Sequence, residues 1–164
     1  MKAKLLLGVL LVFTLATSIT LAQDTNSYPA YDVATSPVDV LASYYNAISR
    51  GEYWRAYNYW GNHPQTYVTF ANGFSDTLSV QLIVQPPTIL EGAAGSIYAS
   101  IPTVVIAEHQ DNTQHIYSGC FVTRKTNQQT PDMPEDTWHI YSGDLKEVAD
   151  MAAIPTLLAE SCQP

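Results

Sequence analysis

Basic residues are scarce: Lys and Arg number seven in a chain of 164, against fifteen Asp and Glu, for a formal net charge of -8. A protein of that sign is repelled by nucleic acid and by anionic lipid headgroups, so neither is expected as a partner. Charge of any kind is low, at 13% of residues. Low charge would suit a membrane protein, but beyond the N-terminus the apolar residues are dispersed and form no series of spans. Cysteine is almost absent, with Cys120 and Cys162 alone. That leaves no CxxC redox pair and no zinc-ligand spacing, and no metal or cofactor is expected. There is no phosphate-cradling glycine loop and no Ser-His-Asp order suggestive of a hydrolase. Aromatics are the exception: eleven tyrosines, four phenylalanines and three tryptophans, 11% of the chain.

The N-terminus carries the compartment signal. Lys2 and Lys4 precede an apolar run over 5–16 (LLLGVLLVFTLA), and a small residue, Ala22, follows six residues later. This pattern predicts a secretory signal peptide over 1–22, cleaved before Gln23 and leaving no stable membrane span. An uncleaved anchor is the alternative, although Thr14, Thr17, Ser18 and Thr20 dilute the second half of the segment. Cleavage would leave five Lys and Arg against fifteen Asp and Glu, a net charge of -10. In an oxidising compartment Cys120 and Cys162 are expected to form one disulfide, with two free thiols as the alternative.

Downstream, residues 23–35 are polar and aperiodic and read as a linker. Ser36-Pro37-Val38-Asp39 offers an N-cap, a proline at the first helical position and an acid three residues after the cap. Val38, Leu41, Tyr45 and Ile48 then recur at helical spacing until Arg50-Gly51. Tyr53, Ala56, Tyr57 and Trp60 predict a second helix, with Glu52 at its positive end, and Tyr67, Phe70, Ala71 and Phe74 predict a third. From Leu78 the period becomes two, predicting strands over 78–84, 96–107, 113–125 and 138–142. Asp111-Asn112 marks a hairpin turn, Gly119 a bulge, and Pro102 an edge or bulge position. A tail over 146–164, with short helices interrupted at Pro155, would be tied back by the disulfide. Helices first and strands afterwards make an α+β fold with an antiparallel sheet of about four main strands.

The stretch VDVLASYYNAISRGEYWRAYNYW over 38–60 resembles the opening of a nuclear transport factor 2-like domain, in which a helix ending "YYxAI…G" leads into "xxAYxxW". IYSGCFV over 116–122 resembles the penultimate strand of such domains, and Trp138-His139-Ile140 the last. The resemblance covers about residues 36–145. It implies three N-terminal helices packed in a curved, cone-shaped (cystatin-like) sheet with a pocket in its mouth. It also implies the common pairing of such domains through the outer sheet face, which would make a homodimer. The likeness is greatest to secreted, helper-type members of unknown role.

Enzymes of that superfamily, ketosteroid isomerase and SnoaL-like cyclases among them, place carboxylic acids in the pocket. Here the four predicted strands contain no Asp or Glu, which weakens the enzyme reading and leaves His and Tyr as its only candidates. The aromatics that fall on inward helical stripes or on strands facing the cone are the pocket-lining candidates: Tyr45, Tyr57, Trp60, Tyr67, Tyr98 and Tyr141, with His139 joining them in one register. His109 and His115 flank the predicted turn and read as surface residues of a hairpin arm, and His63 as a solvated loop residue. The expectation is a secreted binding domain, without catalysis, that takes a small apolar or aromatic ligand or a protein partner. An extracytoplasmic enzyme using His and Tyr is the alternative.

Overall fold

A computed structural model describes residues 29–87, 90–127, 137–149 and 153–163; the segment 1–22 read as a signal peptide and most of the loop before Trp138 lie outside them. The chain is α+β, with four helices and a five-stranded antiparallel sheet among the described residues. Helix α1 (Pro37–Ser49) starts where Ser36 accepts a hydrogen bond from the Asp39 amide at 3.1 Å. It stops at Gly51, which takes a φ of 68° that a side chain would oppose. Helix α2 (Tyr53–Asn58) has no side-chain N-cap; Glu52 instead pairs with Arg50 at 2.7 Å and Arg55 at 2.6 Å. Helix α3 (Tyr67–Asn72) is capped by Thr66.

The strands are β1 (Thr77–Val84), β2 (Glu91–Ala93), β3 (Ser96–His109), β4 (Gln114–Thr126) and β5 (His139–Val148), ordered β1-β3-β4-β5 with β2 beside β3. Three local expectations need correcting. The bulge is not at Gly119; the registers slip in β1 between Thr77 and Ser79 and opposite Val122 on β5. Gly119 has a different task, since a Cβ there would lie 1.9 Å from the Asp144 carbonyl oxygen. The last strand runs to Val148, well past Ser142, and Pro155 opens helix α4 (Ile154–Glu160) instead of interrupting it. Pro102 does sit at an interruption. Its carbonyl accepts from Gln85 just beyond the end of β1, so its missing donor faces the place where that strand gives out.

The sheet is covered on both faces. On one, Leu41, Tyr44, Tyr45 and Ile48 of α1 and Phe70 of α3 pack with Ile101, Val105, Phe121 and Ile140 in a continuous core. On the other, α4 lies against β3 and β4, and the alternating Val104 and Ile106 are buried there. The Cys120–Cys162 disulfide forms as expected and pins α4 to β4, beside a Ser118–Ser161 hydroxyl bond of 2.9 Å. Residues 31–34, read as linker, are strapped along α1. The Val33 amide donates to Ser43 Oγ at 2.8 Å, the Tyr31 amide to Asn46, and Trp138 N–H to the Ala34 carbonyl.

Candidate functional site

Between the helical layer and the sheet face that it covers lies a cavity of about 330 Å³. Its wall is aromatic: Tyr44 and Tyr45 from α1, Trp60 just after α2, Phe74 from the loop after α3, and Tyr117 and Phe121 from β4. The rings meet at steep angles, Tyr44 to Trp60 at 81° and 6.1 Å, Tyr45 to Phe121 at 82° and 6.1 Å. This is the edge-to-face arrangement that aromatic quadrupoles prefer. Burial pushes the Tyr44 and Tyr45 hydroxyls far above the ordinary phenol range, so both stay neutral. The neighbouring Trp60 indole acts in the opposite sense on Tyr44 without outweighing burial.

Polar groups gather at one end. His109, at the close of β3, lines the cavity and turns Nδ1 to Asp76 Oδ2 at 3.3 Å. Register explains the meeting, since Thr77 pairs with His109 and carries its neighbour Asp76 alongside. Next to it His115 places Nδ1 2.7 Å from Glu147 Oε1, and the two imidazoles lie 4.9 Å apart. Burial first, and then the Glu147 and Asp76 charges, raise the Tyr117 hydroxyl. Among the described residues two buried nitrogens have no hydrogen-bond partner, Trp60 Nε1 and His109 Nε2, and both belong to cavity-lining residues. An unsatisfied buried polar atom costs about 1–3 kcal/mol, which a ligand or water that reached it would recover.

No protein-family model matches the chain, and no curated protein is detectably similar to it. Among the described residues no three His, Cys, Asp or Glu converge as metal ligands, and no helix is long and apolar enough to cross a membrane.

The residues expected at the pocket are divided by the fold. Tyr45 and Trp60 line the cavity. Tyr57 and Tyr67 do not; they form a cluster on the α2–α3 flank, where Tyr57 stacks on His63 at 3.9 Å and Tyr67 meets the exposed Trp54 at 5.0 Å. Tyr98 and Tyr141 also lie elsewhere, paired with each other at 5.4 Å under the Arg124 guanidinium. His139 is exposed, its Cβ beside Gly61. The ring-bearing cavity residues absent from that expectation are Tyr44, Phe74, His109, Tyr117 and Phe121. The signals were faint: Tyr44 neighbours a stripe residue, and Phe121 and Tyr117 alternate along one face of β4.

Proposed function

We propose that this protein is a secreted binding domain of nuclear transport factor 2-like, cone-shaped architecture that takes a small aromatic or apolar molecule into the cavity behind its sheet. The observation that carries the reading is the cavity itself, about 330 Å³ walled by six rings. A void of roughly 150 Å³ suffices for benzene, so one substituted ring fits with room to spare. The Cys120–Cys162 disulfide and the signal-like N-terminus support export. Long twisted strands with bulges in β1 and β5 support the cone.

Propylbenzene binding tests this by thermal shift and calorimetry, with Ala107→Leu as the comparison because Ala107 lines the cavity. The wild type should bind and the filled variant should not; equal binding by both places the ligand elsewhere and removes the reading. One observation favours the enzymatic alternative, namely His109 held by Asp76 at the cavity end, an imidazole oriented as a general base would be.

A further inference from the structure

We propose that the outer edge of β1 binds a short extended segment of another protein, uncharged and apolar at every second residue, as one more strand of the sheet. In an antiparallel pair, residues alternate between bonding across the pair and turning their backbone groups away from it. Gln85 N–H donates to the Pro102 carbonyl at 3.0 Å, and the register runs on through Ile83 opposite Val104 and Gln81 opposite Ile106, so these residues bond β3. Val80, Leu82 and Val84 therefore direct their backbone groups outward. The Val80 amide agrees with this phase, because it donates to Ser49 Oγ of α1 at 3.0 Å. Past that point the outward amides of Leu82 and Val84 meet no acceptor among the described residues. The opposite edge of the sheet is partly closed, since Gly61 N–H donates to the Ile140 carbonyl and Ile140 N–H to that of Tyr59.

Beside this stretch lies a groove of about 320 Å³, between Val38, Ala42 and Tyr45 of α1 and Val80, Leu82 and Val84 of β1. Open donors and acceptors repeating every second residue along an apolar groove are matched by an extended backbone whose alternate side chains fill the groove. Edge strands that must stay unpaired carry charge, proline or a bulge. In β1 (TLSVQLIV) there is no charge and no proline, and its one slip lies between Thr77 and Ser79, away from Leu82 and Val84. Charge selects the same partner. A chain with fifteen acids and seven bases places none of them on the groove wall among the described residues. A charged strand would lose its hydration there and meet no ion in return.

The test is an NMR titration of the purified protein with acetyl-TVTVT-amide, with the same peptide N-methylated throughout and with acetyl-TDTDT-amide, followed by amide exchange. The Leu82 and Val84 amides should exchange freely in the protein alone and become protected by the first peptide. The methylated peptide should bind about tenfold more weakly, the size of two lost backbone hydrogen bonds, and the acidic one weaker still. Ala42→Leu, which fills the groove, should abolish peptide binding and leave propylbenzene affinity unchanged, because Ala42 does not line the ring-walled cavity. Should that variant not fold, the methylated peptide decides alone. Absence of peptide binding, or equal binding by the methylated or the acidic peptide, overturns the proposal while the cavity reading stands. So does protection of Leu82 and Val84 in the protein alone: if independent of concentration it places the chain's own segment on the edge, and if it grows with concentration it places a second copy there.

Discussion

Helix α4 is the least self-sufficient element of the fold, and its tether can be cut. It has seven residues, no side-chain N-cap and no fully buried side chain, and a helix that short does not persist alone. What it covers is valuable: Val104 and Ile106, 0% and 6% exposed, alternate with the core-facing Val105 and point to its side of the sheet. Covering two such side chains is worth about 3–6 kcal/mol at most. The Cys120–Cys162 link spans 42 residues, and restricting a loop of that length in the unfolded chain is worth about 4 kcal/mol. The tether and the docking surface are therefore of similar size. We expect Cys120→Ala/Cys162→Ala to lose about 3–4 kcal/mol in urea denaturation. Amides of residues 157–160 should exchange freely while β3 and β4 stay protected. A loss below about 1 kcal/mol with the α4 amides still protected would refute the reasoning, because α4 would then be held by its own contacts.

Other expectations follow from single contacts. Ser36→Ala removes the cap on the Asp39 amide and should cost about 1 kcal/mol in thermal denaturation, whereas Ser36→Asp should restore most of it. Gly119→Ala drives a Cβ into the Asp144 backbone oxygen and should cost more than about 3 kcal/mol or prevent folding. Gly51→Ala meets nothing within 4 Å and carries only the penalty of its φ of 68°, about 1–2 kcal/mol; equal losses at the two sites would discount the clash. For Glu52, burial raises the carboxyl, but the hydrogen bonds and charges of Arg50 and Arg55 outweigh it and hold the group below its usual range. A depressed folded value means its stabilisation is full above the unfolded pKa of about 4.3 and fades as pH falls through the folded one. The melting-temperature gap between wild type and Glu52→Gln should therefore close in acid; a constant gap would locate the effect in packing.

How much of this was legible in the chain depends on whether the determining contact is local. The start of α1 was, because Ser36, Pro37 and Asp39 are adjacent and their capping chemistry needs no tertiary partner. The stripe through Leu41, Tyr45 and Ile48 was too, although the buried face is wider than a stripe. Tyr44 is buried as well, since the sheet passes beneath α1 while Trp60 and Phe70 close its flank. Face assignment failed in β3 for a physical reason. With α4 on the far side, Val104 and Ile106 are as buried as Val105, so the run lacks the apolar–polar alternation that would mark which side faces the cavity. Tyr98 was therefore read onto the cavity side, and Tyr141 falls at the residue where β5 bulges opposite Val122 and Thr123.

His109 is the extreme case. Its partner Asp76 is 33 positions earlier, at the end of a helical segment that gives no hint of a strand partner. Only the pairing of Thr77 with His109 brings them together, and that register depends on the slip between Thr77 and Ser79. From sequence, a histidine beside an Asp-Asn turn is a surface residue. In the folded chain the turn lies beyond the sheet, but His109 precedes it on the cavity side, with its side chain 17% exposed. One residue of register decides whether that imidazole meets water or the cavity, because a shift by one in a strand exchanges the faces. The candidate site is thus a product of β-pairing, and a substitution that shifts the β1 bulge should disconnect Asp76 from His109 without touching either.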